Sequence, residues 1–247
     1  MILRLLSRFI DYPSEQLHEH KADFLALVAD ENRLPEDIKA QLSDFIETRL
    51  SMDLLDWQAE YDGLFERGRS LSLLFFEHVH GESRDRGQAM IDLIAQYKLA
   101  GLNIDVRELP DYVPLYLEFV ATQPVDAQAG WLQDVAHIMA LLTARLQKRE
   151  NNYQAVFAAV LALSGAEIAL TEVHQQIADE KRDDTKEAID KVWEEEAVTF
   201  GGDAVNGGCP TTQNRPSVEQ NRSNDLPISF IDAAGSSNLN NQIRGNL

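Results

Sequence analysis

Apolar side chains recur at steps of three, four and seven through the first two hundred residues, and a chain patterned this way buries its apolar faces as packed α-helices. Leu17, Phe24, Leu25 and Val28 gather on one face behind Pro13-Ser14, where the serine oxygen is placed to accept from a free first-turn amide. Pro35-Glu36-Asp37 opens the next helix: proline's missing donor costs nothing there, and the two acids favour the positive helix end. Ile38, Leu42, Phe45, Ile46 and Leu50 form its apolar face. Asp53 caps a third helix, from 54 to about 66, that carries Leu54, Leu55, Trp57, Tyr61, Leu64 and Phe65. A polar break, Gly68-Arg69-Ser70, leads into a helix over 71–79 that Gly81 ends. Ser83 caps the next, over 84–99, and Gly101 closes it. Further helices are expected after Pro110 and Pro114, and over 127–150, 152–170, 172–178 and 185–200. There is no strand alternation, hairpin dipeptide or internal repeat. The pattern predicts an all-α fold, a single globular helical bundle over residues 1–200.

Periodicity stops at Phe200. Gly, Asn, Ser, Gln, Thr and Pro fill residues 201–247, the composition of a disordered polar C-terminal tail, interrupted by the short apolar stretch Leu226-Pro227-Ile228-Ser229-Phe230-Ile231. The chain carries a net charge of −19; four acids and three arginines leave the tail at −1, so −18 belongs to the helical domain. Such a surface disfavours nucleic acid and anionic lipid and draws in basic partners. Acidity also serves solubility, so charge alone does not choose between the two. Cys209 is the one cysteine, which leaves no internal disulfide. Residues 1–10 are apolar but broken by Arg4 and Arg8 and lack a small-residue cleavage site, making a poor secretion signal. No stretch reaches the roughly 18–20 apolar residues that span a bilayer. The expectation is a cytoplasmic protein without stable membrane insertion.

The densest chemistry lies in Phe75-Phe76-Glu77-His78-Val79-His80-Gly81-Glu82-Ser83-Arg84-Asp85-Arg86. Its histidines and carboxylates invite a metal site, and His78, His80, Glu82 and Asp85 define an alternative reading as a metal-dependent enzyme. His-x-His spacing, however, turns the rings roughly 200° apart on a helix, so one ion meets both only if the helix has ended. The zinc-protease pattern of two histidines four apart is absent. Gly81-Glu82-Ser83 lacks the following glycine of a nucleophile elbow, and no strand precedes it. Ser83 as a cap, with Arg84, Asp85 and Arg86 ion-paired in the first turn, accounts for these residues locally. Gly-rich phosphate loops are missing. His18, His20, His137 and His174 are scattered on helices, His137 beside the apolar stripe Val135, Ile138, Met139 and Leu142 as a satisfied, partly buried histidine. No cofactor is expected. What remains is apolar density: Tyr61, Leu64 and Phe65 share one helical face, and Leu71, Leu74, Phe75 and His78 share another. Such stripes either pack a core or line a groove for an amphipathic helical peptide, with acids at the rim for its basic residues.

The run Asp62-Gly63-Leu64-Phe65-Glu66-Arg67-Gly68-Arg69-Ser70-Leu71-Ser72-Leu73-Leu74-Phe75-Phe76-Glu77-His78-Val79-His80-Gly81-Glu82-Ser83-Arg84-Asp85-Arg86-Gly87-Gln88-Ala89-Met90 closely resembles the signature of the NarJ family. These are the assembly chaperones of respiratory molybdenum-containing nitrate reductase. The resemblance extends to Glu108-Leu109-Pro110-Asp111-Tyr112-Val113-Pro114-Leu115-Tyr116-Leu117-Glu118, to Asp183-Asp184-Thr185 and to Trp193-Glu194-Glu195-Glu196, and covers about residues 1–200. It implies an all-helical chaperone of the NarJ/TorD-like type with no enzymatic activity. Its partner would be the immature, apo catalytic subunit of nitrate reductase, including an N-terminal leader-like segment. The chaperone would hold that subunit back from its membrane anchor until molybdenum cofactor and iron–sulfur insertion are complete. Molybdenum cofactor biosynthesis proteins are further expected partners. Related leader-binding chaperones carry a Glu-Pro-x-Asp-His motif; Glu108-Leu109-Pro110-Asp111-Tyr112 is its nearest counterpart and lacks the histidine, so that branch's site is not carried across. On this reading the client-peptide site comprises Tyr61, Leu64, Phe65, Phe75, His78, His80, Glu82, Asp85 and Arg86, an apolar groove with a charged rim whose affinity salt weakens. A generic acidic adaptor would instead bind unrelated cationic peptides equally well.

Overall fold

Residues 2–10, weighed above as a leader, form the first helix of the core. Helix α1 (Ile2–Ile10) buries Ile2, Leu3, Leu5, Leu6, Phe9 and Ile10 and leaves Arg4 and Arg8 in solvent. A 3-10 turn (Glu15–His20) leads into α2 (Lys21–Ala29), and α3 (Glu36–Arg49) and α4 (Leu54–Phe65) follow. The short α5 (Phe75–Val79) and α6 (Arg84–Leu99) precede α7 (Val113–Thr122), the long α8 (Val125–Lys148), α9 (Gln154–Ser164) and α10 (Leu170–Gln176). The computed structural model describes residues 1–79, 84–104, 108–191 and 193–194. Among them all regular structure is helical, apart from one antiparallel bridge between Leu74 and Tyr112. Residues 1–194 make one compact unit. The expected boundary at Phe200 and the polar tail lie outside the described residues.

Helix α9 shows why the pieces assemble. Its sequence is apolar on every side, and a helix of that kind must be surrounded. Helix α8 packs along it, α1 and α3 lie against it, and α1 also packs on α7, α2 on α3, and α10 on α8. Each fully buried Val, Leu or Phe contributes roughly 1.5–3 kcal/mol. Aromatic rings fill the centre in edge-on contact: Phe9 against Phe45, Phe45 against Tyr153, and Tyr153 against Phe65. A second group joins Phe75, Tyr116, Phe119, Tyr97 and Trp131. The polar tips of the buried Trp57, Tyr61 and Tyr97 rings are hydrogen-bonded, as burial demands. Trp57 Nε1 donates to Tyr153 Oη at 2.7 Å, Tyr61 Oη to the Ile10 carbonyl at 2.9 Å, and Tyr97 Oη to the Pro110 carbonyl at 2.7 Å. The buried Arg49 guanidinium forks onto Glu60 at 2.6 and 2.8 Å, also donates to Asn152 Oδ1, and lies over the Tyr153 ring.

Caps legible in sequence sit where expected: the Asp53 carboxylate accepts from Leu55 N at 2.9 Å, and Glu36 and Asp37 occupy the first turn of α3. Four expectations fail. His137, expected to be partly buried, is exposed on the outer side of α8. Ser14 precedes a 3-10 turn and makes no side-chain cap. The helix expected over 152–170 breaks at Gly165, whose φ of +65° is the left-handed conformation that ends α9. The helix expected over 71–79 begins only at Phe75, because residues 73–75 pair with the chain before α7: Val113 N donates to the Leu73 carbonyl at 2.8 Å and Phe75 N to the Asp111 carbonyl at 3.0 Å. The Gly81 stop and the Ser83 cap lie outside the described residues.

Candidate functional site

The segment between α4 and α6 is held from two sides. On one side stands Asp183. A Cβ on Gly68 would come within 2.6 Å of its carboxyl carbon, so only glycine admits that approach. Asp183 accepts from Ser70 N at 2.7 Å, Ser70 Oγ at 2.6 Å and Arg149 Nη2 at 3.1 Å. Burial pushes its pKa up, but Ser70's hydrogen bonds and the Arg149 charge outweigh burial and hold it below the usual aspartate value. Arg149 also reaches Asp184, at 3.0 Å. Arg145 forks onto Glu180 at 2.8 and 2.7 Å and donates to the Ser70 carbonyl at 2.7 Å. A cleft of about 300 Å³ opens beside this cluster. Arg145, Arg149 and Arg182 in its lining are already ion-paired, and Lys148 caps α10 and the residues after it through three carbonyls. The cluster is a clamp.

On the other side stands Asp111, fully buried. Its Oδ2 accepts from Phe76 N at 3.1 Å and so caps α5 across the fold. Its Oδ1 and the buried Arg86 Nε have no hydrogen-bond partner among the described residues. Burial raises the Asp111 pKa against the pull of the Phe76 amide. Arg86 keeps a long contact to Glu77, at 3.7 Å. Within the hairpin so formed, His78 Nε2 donates to the Ser72 carbonyl at 2.8 Å, which leaves Nδ1 facing Arg145 Nη1 at 3.5 Å. Burial first, and the Arg145 charge after it, push the His78 pKa down, so the ring is neutral at pH 7.

The sequence-predicted residues therefore separate. Tyr61, Leu64, Phe65 and Phe75 are buried; of the two readings open to their stripes, the structure places these four side chains in the core. His78 and Arg86 are half-buried at its edge, and Asp85 is exposed. His80 and Glu82 lie outside the described residues. Two of the four residues of the metal alternative are thus outside the described residues, among which no group of three His, Cys, Asp or Glu side chains converges. What periodicity missed is that apolar side chains of α5 and α6 stand in solvent. Val79 at the end of α5 is 61% exposed and Ile91 on α6 is 60% exposed, and Tyr97 is the single buried side chain of α6 among those described. The clamp residues Arg145 and Arg149 were missed too, since nothing local ties α8 to residues 68–70. No helix among the described residues is long and apolar enough to cross a membrane.

Comparison with known proteins agrees with the resemblance of the signature. The profile of the nitrate reductase delta subunit family matches residues 31–159. The chain is 47% identical over 213 residues, 86% of its length and 90% of the relative's, to the nitrate reductase molybdenum cofactor assembly chaperone NarJ of Escherichia coli K12. It is 44% identical over 231 residues, 94% of its length and 96% of the relative's, to the probable chaperone NarW of the same organism. Against the probable NarJ of Bacillus subtilis strain 168 identity is 29% over 158 residues, 64% of this chain and 84% of the relative. The chain therefore belongs to the nitrate reductase delta subunit family, that of the NarJ and NarW assembly chaperones, and is not an enzyme.

Proposed function

We propose that the chain is a cytoplasmic, system-specific chaperone that binds the immature catalytic subunit of a respiratory nitrate reductase, including its N-terminal segment. It holds that subunit for molybdenum cofactor and iron–sulfur insertion before membrane anchoring. The observation that carries this reading is identity of 47% over nearly the whole length of a nitrate reductase chaperone.

The surface best suited to the client segment is that of α5 and α6. Val79 and Ile91 offer exposed apolar contact, and Asp85 stands exposed for a basic residue of the client. His78 and Arg86 border it, His80 and Glu82 belong to the same stretch, and Tyr61, Leu64, Phe65 and Phe75 pack in the core rather than at its surface. The test is calorimetric titration of the full chain with a peptide of the catalytic subunit's N-terminal segment. Micromolar binding that weakens with salt is expected. Absence of heat, or equal binding of unrelated cationic peptides, would overturn the reading in favour of no client or a generic adaptor.

A further inference from the structure

Arg4 and Arg8 stand one turn apart on α1 as its only exposed side chains. Their local surroundings do not account for them. Arg4 sits in the first turn, where the helix dipole favours acids, and no ion pair to it is present among the described residues. Arg8 keeps a 3.5 Å contact to Glu118 with its side chain 63% exposed, a pair worth little to stability. Grooves flank the pair. One of about 320 Å³ lies between α1 and α2 over Leu5, Phe24 and Leu27, with Asp23 on its outer edge. The other, of about 410 Å³, lies between α1, α7 and residues 102–104 over Leu102, Leu115 and Phe119, with Glu118 in its lining.

We propose that this face receives an acidic amphipathic helix from a partner protein. A row of side chains four apart, standing between two grooves, is the relief on which a second helix seats its own rows. Acids four apart on the incoming helix would meet Arg4 and Arg8 in charge-assisted hydrogen bonds. Its aliphatic or aromatic neighbours would enter the two apolar grooves. Asp23 beside one groove and Glu118, which already contacts Arg8, beside the other disfavour further acids there. An anionic bilayer is the rival occupant and fits less well, because the apolar atoms lie recessed in grooves instead of standing out as a face that could enter a bilayer. The site is distinct from the α5–α6 surface, and its ligand has the opposite charge.

The test uses the isotope-labelled full chain, titrated with a synthetic helix of Leu, Ala and Glu whose glutamates form one row of four-residue spacing flanked by leucines. The same helix with lysine for glutamate and phosphatidylglycerol vesicles are the comparisons. Amide shifts centred on α1, α2, residues 102–104 and α7 are expected, with about tenfold tighter binding of the acidic helix than of the lysine helix. Net charge alone would give the reverse order. The Arg4→Gln/Arg8→Gln variant, with an unchanged melting temperature, should lose about tenfold in affinity, and Arg4→Glu/Arg8→Glu more. The proposal fails if the lysine helix binds this face as tightly, if shifts are absent or centred elsewhere, if the variants bind unchanged, or if vesicles bind and the helix does not.

Discussion

Asp183 reaches Ser70 across 113 positions of sequence, and Gly68 is what lets it in. The carboxylate is pinned by both Ser70 donors and by Arg149, so it has little freedom to withdraw from an added methyl. Gly68→Ala is expected to destabilise the fold by about 1–3 kcal/mol, the range of overpacking a fixed site. The urea midpoint at pH 7 measures it; an unchanged midpoint would mean the clamp is loose. Nothing local in the sequence joins these partners. Asp183-Asp184-Thr185 entered through resemblance, and no spacing rule connects it with a serine so far upstream. Tyr61, Leu64, Phe65 and Phe75 show the complementary limit. Periodicity puts them on shared faces, but whether a face is covered depends on what packs there, and here Tyr153, Phe157 and Tyr116 do.

Elements were legible where their stops are local. Asp53 for α4, Pro35-Glu36-Asp37 for α3 and Gly101 for α6 act within one turn of the ends they set. Helix α5 was misread because its start is imposed by Asp111, which satisfies the Phe75 and Phe76 amides from another segment. Helix α6 was placed well, yet its sequence conceals how little it buries. Its apolar residues Ile91 and Leu99 face solvent, and Tyr97 anchors it near one end. Helices with few buried contacts open without global unfolding. Amides in the middle of α6 should therefore exchange with deuterium about a hundredfold faster, or more, than those of α9, which is buried along its length. A docked client segment should slow α6 and leave α9 unchanged. Equal protection of the two helices in the free chain would contradict this picture.

At the scale of the molecule, pH acts through groups of opposite sign. Hydrogen bonds from Arg49, Arg33, Arg145 and Arg182 depress the pKa values of Glu60, Glu31, Glu180 and Asp184, and Ser70 with Arg149 does so for Asp183. Each stabilises the fold above its ordinary value, 4.5 for glutamate and 3.8 for aspartate, and that contribution is lost as pH falls through the folded pKa. His78, held neutral by burial, adds a loss that starts below 6.5, since the unfolded chain takes up that proton first. Asp111 runs the other way. Its raised pKa means the folded chain holds the extra proton, so its contribution turns unfavourable as pH climbs above 3.8 and stays so at pH 7. Stability should thus fall from about pH 6 toward pH 3, with Asp111 blunting the loss. Asp111→Asn isolates that term, because asparagine retains an acceptor for Phe76 N and carries no charge. The variant's advantage over the parent chain, followed by urea midpoints across this range, should be largest at pH 7 and shrink as pH falls. If the difference is independent of pH, the Asp111 carboxyl is not strained by burial, and the orphaned oxygen beneath α5 and α6 has a partner.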